Sequence, residues 1–297
     1  MTTISTKDME TIKALAMRIG EKLEGVTVEP VEVGKNNGIR LGLKFRKEGE
    51  QISPTLYPQG SDLRDAEDDL DKVADRLAQA YLDNKKENED GYLVEAVKVV
   101  REFETSKDRL RLMVINEKSN QGYLQGRPYK IIMNDLAVLV YVEIGEEGKG
   151  QGQVTVTNDL LDVWKKNFDE VYDQAYENMK ERVYTRRLID IIQERMGADL
   201  YDLGYDPEMF VYTNDTMVRG AGVLPVIMDD LKERFGRFII LPCSINEVIV
   251  LPDSPDNELM GMGFFNAMVS DINRTEIGLE DKLSDHVYFW NGEEFIM

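Results

Sequence analysis

Cysteine and histidine are almost absent from this chain of 297 residues, which contains one of each, Cys243 and His286. A single cysteine excludes an intrachain disulfide, and one cysteine with one histidine excludes a zinc site built from these ligands. A nucleophilic cysteine usually needs a histidine base beside it. Because His286 is distant in sequence, we predict that Cys243 is a small buried apolar residue and not a nucleophile. His286 precedes an apolar strand pattern and is predicted to be a partly exposed structural residue.

Long apolar runs are also missing. The longest ones lie in Leu136–Ile144 and Val248–Leu251, and both are much shorter than the ~20 residues that cross a bilayer. The N-terminal residues have no apolar run after a basic start, so no signal peptide is predicted. A lone cysteine fits a reducing compartment. Together these features predict a soluble cytoplasmic protein without a membrane-embedded part.

Positive charge is scarce, because 36 Lys and Arg residues stand against 56 Asp and Glu residues, giving a net charge of -20. Such a surface repels phosphate backbones and anionic membranes, so we expect no direct nucleic-acid or membrane binding. One strand pattern does carry a basic face, formed by Arg40, Lys44 and Arg46. We interpret it as a solvated face that balances nearby acids, with a small anion contact as the alternative.

Acidic residues cluster on one predicted helix. Apolar residues spaced by three and four from Leu63 to Tyr81 predict an amphipathic helix. Its outer face carries five aspartates, namely Asp62, Asp65, Asp68, Asp69 and Asp71. Nothing there matches the alternating carboxylate loop with a central glycine that calcium needs, so a solvated helix face is the preferred interpretation.

Helices alternate with short strands in the rest of the first half. Ser5 or Thr6 is predicted to cap a first helix that ends at Gly25, and Lys35-Asn36-Asn37-Gly38 is predicted to form a hairpin turn. A strand from Ile52 to Tyr57 is predicted, and Pro54 marks it as an edge strand or as the end of a strand. The apolar strand Leu136–Ile144 is expected to pair with a following strand, and Asn158 is expected to cap a helix that runs through Trp164.

The densest apolar stretch runs from Phe210 to Pro252 and reads as strand, glycine turn, helix and two strands. The glycine turn, Gly220-Ala221-Gly222, could offer backbone N–H groups to an anion, but a tight strand-to-helix turn is the preferred interpretation. A helix from about residue 257 to 273 and a terminal hairpin with a two-residue turn at Asn291-Gly292 complete the pattern.

Tight turns between several strand pairs exclude an all-parallel sheet. The predicted fold class is therefore α+β, with mostly antiparallel sheets, packed helices and two halves. We predict an N-terminal half at 1–181 and a C-terminal half at 182–297. The locally basic stretch Arg182–Arg187 is expected to act as the hinge between them.

Short motifs along nearly the whole chain resemble a clostridial and gut-bacterial family, the domain of unknown function DUF5688. The segments that carry the resemblance are Lys35–Gly38, Ser53–Tyr57, Val114–Asn116 with Lys118 and Asn120, Arg127-Pro128, Asp135–Val138, Trp164, Ala175 and Asn178, Leu241–Val248, Asp271–Asn273 and Leu283–Asp285. They are specific as a set and weak singly. The resemblance implies a bacterial protein and supplies no reaction.

Asn246 departs from the pattern that the resemblance implies, because members of the family often have histidine at this position. The departure predicts that this chain needs no imidazole chemistry there. No residue is assigned a catalytic, cofactor-binding or metal-binding role, and no cofactor is predicted.

Three functional hypotheses follow. The first is a non-catalytic binding or protein-interaction module with an unknown protein partner, which uses a cleft between the halves or exposed strand edges in the C-terminal half. The second is an enzyme that uses carboxylates, alone or with a metal, which predicts at least two inward-facing carboxyl groups with raised pKa values. The third is an acidic mobile-element or anti-defence factor, which predicts one continuous negative face. The oligomeric state stays open.

Overall fold

The computed structural model describes residues 5–50, 53–87, 98–145, 151–197, 208–242 and 244–297. Contacts divide the chain into two compact units, Met1–Val99 and Val100–Met297. Each unit is described by itself.

The first unit packs three helices on a small antiparallel sheet. Its elements are helices α1 (Thr6–Lys22), α2 (Gly60–Asp68) and α3 (Leu70–Glu87), and strands β1 (Val26–Lys35), β2 (Gly38–Lys47) and β3 (Thr55–Leu56). The sheet order is β1-β2-β3, so the strand with Pro54 beside it lies at an edge as predicted. Apolar residues of α1 and α3 cover the apolar face of the hairpin, where the rings of Phe45 and Tyr81 stack at 4.4 Å.

Local sequence signals explain the ends of these elements. The Ser5 side chain accepts a hydrogen bond from the Asp8 N–H and caps α1, as predicted. The hairpin turns through Asn36 and Asn37, and Asn37 adopts a φ of 61°. Asparagine tolerates this left-handed conformation better than most residues, which is why the Asn-Asn pair specified the turn.

The single helix predicted around residues 63–81 is two helices. Asp69 leaves helical geometry at φ -149° and ψ 86°, and α3 begins directly after it. The Asp69 side chain accepts a hydrogen bond from the Lys72 N–H (3.0 Å). An aspartate that bonds the backbone three residues ahead favours a helix start over a helix interior, so the apolar spacing continued across a break that it did not reveal.

The second unit contains two sheets. The four-stranded sheet consists of β4 (Leu110–Asn116), β5 (Lys130–Ile132), β6 (Leu136–Gly145) and β7 (Gln151–Thr155), with β6 paired to the other three. The six-stranded sheet has the order β13-β12-β10-β11-β9-β8. Its strands are β8 (Val183–Arg187), β9 (Phe210–Asn214), β10 (Phe238–Leu241), β11 (Val248–Pro252), β12 (Tyr288–Trp290) and β13 (Phe295–Ile296).

Five longer helices belong to the second unit: α4 (Asn158–Trp164), α5 (Phe168–Lys180), α6 (Leu188–Met196), α7 (Leu224–Phe235) and α8 (Pro255–Thr275). Shorter helical turns include Phe103–Ser106, Gln121–Leu124 and the 3-10 turn Gly220–Val223. The α+β class with antiparallel sheets and packed helices is confirmed, since every strand pair among the described residues is antiparallel. In the described part of the chain, no helix is long and apolar enough to cross a membrane.

The division after Val99 differs from the predicted boundary at 181, which falls between α5 and β8 inside the second unit. Both sides of residue 181 contribute to one apolar core, which includes Val171 and Met179 of α5 together with Phe210 and Tyr212 of β9. The basic stretch predicted as a hinge is instead strand β8, paired with β9 from Val183 to Arg187. The basic composition belongs to a strand at the edge of the sheet. In sequence, an arginine-rich edge strand resembles a charged linker.

Three smaller differences have local causes. The cap of α4 is Thr157, whose side chain accepts from the Leu160 N–H, and not Asn158. The terminal hairpin pairs Trp290 with Phe295, so its turn has four residues, and the Asn291 side chain accepts from the Glu293 and Glu294 N–H groups. Helix α8 is interrupted at Gly261, where φ is 70° and ψ is 162°.

Gly222 brings the turn before α7 against strand β4. A β-carbon built on Gly222 would lie 1.9 Å from the carbonyl oxygen of Leu112, which is a backbone atom that no side-chain rotation can move aside. Only a glycine allows this approach, which packs the turn between β9 and α7 against the four-stranded sheet.

We therefore expect Gly222→Ala to lower the free energy of unfolding by roughly 3 kcal/mol or more, because the added methyl group forces the two backbones apart. Urea denaturation monitored by circular dichroism measures the change. Gly263→Ala is the matched control, since its added methyl group meets nothing within 4 Å and should raise stability by roughly 0.5–1 kcal/mol. Equal effects of the two substitutions would contradict this packing.

Candidate functional site

A buried carboxylate, Asp135, lies at the centre of a polar cluster in the second unit. Asp135 precedes β6 and is 3% exposed, the most buried acidic residue among those described. Its carbonyl oxygen accepts the Glu117 N–H at 2.8 Å, which fixes the backbone on both sides of the carboxylate-bearing turn.

Three side chains bond the Asp135 carboxylate. The Asn116 amide donates to Oδ2 at 3.0 Å, and Nε2 of His286 lies 3.1 Å from the same oxygen. The Tyr288 hydroxyl donates to Oδ1 at 2.6 Å. Asn116 ends β4, whereas His286 and Tyr288 belong to the strand β12 region, so the carboxylate joins the two sheets of the unit.

Both ring nitrogens of His286 face acceptors. Nε2 faces Asp135, and Nδ1 lies 3.3 Å from the main-chain carbonyl of Val287. A neutral imidazole has only one N–H to donate, so the charged imidazolium is the form that satisfies both contacts. The hydrogen bond to Asp135 accordingly raises the pKa of His286 above 6.5, against the opposing effects of burial and of the Lys118 charge.

The pKa values of Asp135 and Tyr288 also shift in the directions that the Asp135–His286 pair requires. Burial alone would raise the pKa of Asp135, but hydrogen bonds from His286, Tyr288 and Asn116 outweigh burial and hold the pKa below its ordinary value. Burial and the bond to Asp135 raise the pKa of Tyr288. The three shifts favour the ionised Asp135 carboxylate, the protonated His286 ring and the neutral Tyr288 hydroxyl.

A second set of contacts holds the segment that carries His286. The Asn273 amide of α8 donates to the Ser284 carbonyl at 2.7 Å and to the Asp285 carboxylate at 3.0 Å. Lys282 pairs with Asp285 at 2.7 Å. The segment is thereby fastened to α8, and His286 is placed more rigidly than its partial exposure would suggest.

This geometry does not form a nucleophile with a base. The Ser284 hydroxyl lies 3.3 Å from the Tyr288 hydroxyl and accepts the His286 main-chain N–H, also at 3.3 Å. Neither imidazole nitrogen faces that hydroxyl. Activation of a serine requires a hydrogen bond from the hydroxyl to a free ring nitrogen, and here both nitrogens are committed elsewhere.

A second charged cluster lies around Glu143 of β6. Its carboxylate bonds Arg111 of β4 at 3.0 Å and Arg182 at 2.8 Å, and Arg182 also pairs with Asp215 at 2.7 Å. Burial and repulsion from Arg182 lower the pKa of Arg111. For Arg182, burial is outweighed by the bonds to Asp215 and Glu143, which raise its pKa. The chain of charges thus runs from the four-stranded sheet to the residue that follows β9.

The segment Asp215–Arg219, named here the 215–219 loop, is held by several hydrogen bonds. The Asn214 side chain accepts from the Thr216 N–H (3.2 Å) and donates to the Val218 carbonyl (2.8 Å). The Asn246 side chain accepts from the Arg219 N–H at 3.0 Å. Arg182 fixes the start of the loop through the Asp215 carboxylate and through its own carbonyl, which accepts the Asp215 N–H at 3.1 Å.

Two residues of this loop are strained. Met217 and Arg219 adopt φ values of 58° and 54°, in the left-handed region that residues with a β-carbon rarely occupy. Each costs roughly 1 kcal/mol relative to an ordinary conformation. Met217 is nevertheless 62% exposed and Val218 47% exposed, so the strained backbone holds two apolar side chains in solvent.

The glycine turn after the loop serves packing. The Ala221 N–H donates to the Ile245 carbonyl at 3.0 Å, and the Gly222 N–H donates to the Arg219 carbonyl at 2.9 Å. A β-carbon on Gly220 would meet the Thr213 hydroxyl at 1.9 Å and the Asn246 carbonyl oxygen at 2.2 Å. These N–H groups are thus committed within the protein, which supports the tight-turn interpretation over the anion site.

The remaining candidates from the sequence either make ordinary contacts with neighbouring side chains or lie outside the described residues. Cys243 lies outside the described residues. On the basic strand face, Arg46 pairs with Glu29 at 3.3 Å, and the guanidinium of Arg40 lies over the Tyr57 ring at 5.0 Å.

The aspartate cluster is paired with neighbouring cations. Asp62 contacts Arg76, and Asp71 contacts both Arg18 and Lys22. Across the described ranges, no group of three or more His, Cys, Asp or Glu side chains could hold a metal ion.

The fold is α+β with antiparallel sheets. In the second unit, the polar side chains around Asp135 form hydrogen bonds with one another. The chain belongs to the family of unknown function DUF5688, whose family model matches residues 9–292. No curated protein and no solved structure is detectably similar to it.

The sequence analysis did not single out Asp135 or the 215–219 loop. A signal for Asp135 was present, because four of the segments that carry the family resemblance supply Asn116, Asp135, Asn273 and Ser284 to one network. For Arg219 no local signal existed, since its N–H bonds Asn246, which lies far along the chain. The Met217 N–H donates to the Asn214 carbonyl at 3.2 Å, so the turn at Met217 is local.

The Asp135–His286 pair predicts a pH dependence of stability. Because the folded-state pKa of His286 lies above 6.5, its contribution is fully present below about pH 6.5 and is lost as the pH rises through the folded-state pKa. The wild-type advantage over His286→Gln in free energy of unfolding should therefore shrink as the pH rises above about 6.5.

Nuclear magnetic resonance measures the pKa directly, because the chain has a single histidine and its ring signals disappear in the His286→Gln chain. A titration midpoint at or below 6.5 would contradict the pairing.

Proposed function

We propose that this protein is a non-catalytic binding module that recognises another protein through the 215–219 loop, which we call the recognition loop from here on. One observation carries the proposal: the loop combines backbone strain at Met217 and Arg219 with solvent exposure of Met217 and Val218. Neither feature stabilises the fold, so their combination points to a selected use outside it.

The physical properties of the loop suit recognition. Side-chain bonds from Asn214, Asn246 and Arg182 fix its backbone before any partner arrives. A preorganised loop loses little conformational entropy on association, and exposed apolar side chains gain free energy when a partner buries them. The loop also follows β9, which pairs with the edge strand β8.

The carboxylate-enzyme alternative receives less support. It requires inward-facing carboxyl groups with raised pKa values, which hold a proton for acid catalysis. Every carboxyl group with a resolved shift in the described part of the chain has a lowered pKa, namely Asp71, Glu104, Asp135, Glu194 and Asp285. The one histidine is engaged at both nitrogens.

The anti-defence alternative requires one continuous negative face. Helices α2 and α3 carry the densest aspartates, but Arg18, Lys22 and Arg76 alternate with them in ion pairs. This mixture favours a solvated surface over a phosphate-like array. We further propose a cytoplasmic location, on the lone cysteine and the absence of disulfide chemistry that it implies.

Met217→Gly tests the proposal, because it removes the exposed side chain and relieves strain at the same residue. We expect the free energy of unfolding to stay equal or rise by up to roughly 1 kcal/mol. Chemical cross-linking of tagged protein in a cell lysate, followed by mass spectrometry, should lose the partners that wild type captures. A gain in stability together with a loss of binding is the signature of a residue kept for function.

Val163→Ser is the matched control. Val163 is 60% exposed on α4 of the same unit, in an ordinary helix. It should keep the captured partners, since it removes a comparable apolar surface away from the recognition loop. A capture profile that Met217→Gly and Val163→Ser leave equally intact would sink the proposed function.

A further inference from the structure

We propose that strand β8 pairs with the β8 strand of a second copy of this chain, so that the six-stranded sheets of the two copies join across a two-fold axis. The two strands run antiparallel, and the pair is centred on Thr185. The contact is made by backbone groups of β8 and does not require the recognition loop.

Strand β8 is an outer strand of the six-stranded sheet. In the described part of the chain it pairs with β9 on one side and with no strand on the other. Tyr184 is 42% exposed, and Thr185 is exposed as well. An open strand edge presents a row of N–H and C=O groups, which is a template for pairing with another chain.

The backbone contacts of β8 show which of its residues face outward. The Asp215 N–H donates to the Arg182 carbonyl at 3.1 Å, and the Leu188 N–H donates to the Met209 carbonyl at 2.8 Å. Hydrogen-bonded and non-hydrogen-bonded residues alternate along an antiparallel pair. The even-numbered residues of this segment therefore bond β9, whereas Thr185 and its odd-numbered neighbours in β8 direct their N–H and C=O groups away from β9.

Three other sheet edges are shorter or interrupted. Strand β1 carries Pro30 in its middle, and β3 and β13 have two residues each. A proline or a very short strand limits pairing at an edge. Strand β8 has five residues, Val183–Arg187, and none of them is proline or glycine. Its length and sequence therefore leave this edge open to another strand.

The arginines of this segment select the register of a two-fold pair. Centring the pair on Thr185 places Tyr184 opposite Arg186 of the second copy and keeps all five residues paired. Centring on Tyr184 would place Arg182 opposite Arg186 of the second copy, and centring on Arg186 would place it opposite itself. Like charges directly opposite each other destabilise a strand pair, so the register centred on Thr185 is favoured.

Side chains in the favoured register are complementary. The exposed Tyr184 ring lies opposite an arginine, and a guanidinium is attracted to an aromatic face. Within each copy, Arg186 pairs with Glu194 at 2.5 Å and Arg182 pairs with Asp215 at 2.7 Å. These ion pairs compensate charge along the edge, although the whole chain carries a net charge of -20.

Analytical ultracentrifugation of the full-length chain tests the pairing. It is run at about 0.15 M salt, where exposed charges more than ~8 Å apart are largely screened. The average mass should rise with protein concentration from 34.0 kDa toward twice that value. Thr185→Pro should abolish this rise, because it removes an outward N–H that β9 does not use. Thr185→Ala keeps that N–H and is the matched control, which should associate as wild type does.

Cysteine substitutions test the register on a Cys243→Ala background, which has no other thiol. Thr185→Cys should give a disulfide-linked dimer under mild oxidation, because directly opposite residues of a hydrogen-bonded pair have Cα atoms about 5.5 Å apart, within reach of a disulfide. Tyr184→Cys should cross-link roughly ten-fold less, since the favoured register places this residue opposite Arg186 and not opposite itself.

A mass of 34.0 kDa at every concentration overturns the proposal, and so does a dimer that Thr185→Pro leaves intact. If circular dichroism shows that Thr185→Pro does not fold, the cross-linking decides. Cross-linking of Tyr184→Cys that equals or exceeds that of Thr185→Cys contradicts a pair centred on Thr185. The recognition loop is tested separately by Met217→Gly, so the two proposals fail independently.

Discussion

The carboxylate of Asp135 is the interaction on which the second unit depends. A charge with 3% exposure is unfavourable unless donors surround it, and the donors here come from both sheets. Asn116 approaches from the end of β4, and Tyr288 and His286 approach from the region of β12. A shift of either sheet would leave the carboxylate short of donors, so this group constrains how the two sheets meet. The penalty for a displaced sheet is that of an unsatisfied buried charge.

Two further contacts join the same sheets, and they explain how a strained loop is tolerated. Gly222 lies against the backbone of β4, and Arg182 reaches from the start of β8 to Glu143 of β6. The residues between these contacts include the recognition loop, whose start is held by the bond between Arg182 and Asp215. The strained backbone conformation of Met217 persists because the residues on both sides of it are held by hydrogen bonds. The contacts that join the two sheets therefore also hold the loop in place.

The sequence predicted what depends on neighbours and missed what depends on distant partners. Helix α1, the Asn36-Asn37 turn and the β10–β11 pair follow from caps, turn residues and apolar spacing within a few residues. Asp135 and His286 are 151 residues apart, and no local pattern links them. The break at Asp69 and the four-residue terminal turn were missed for a different reason. The Asp69 side chain bonds the Lys72 N–H and interrupts a periodic apolar pattern, and the Asn291 side chain accepts two N–H groups in place of the two-residue turn that Asn-Gly favours. The recognition loop needed both kinds of information, because its conformation is local and its anchors are not.

A double-mutant cycle between Asp135 and Tyr288 tests this account most directly. Tyr288→Phe removes one hydroxyl and Asp135→Ala removes the carboxylate, and the cycle isolates their coupling from the separate cost of each change. The account predicts a coupling free energy of roughly 1–3 kcal/mol, as a charged hydrogen bond in a buried site provides. Additive effects within about 0.5 kcal/mol would show that the two groups act independently, and the buried carboxylate would then not be what holds the sheets together.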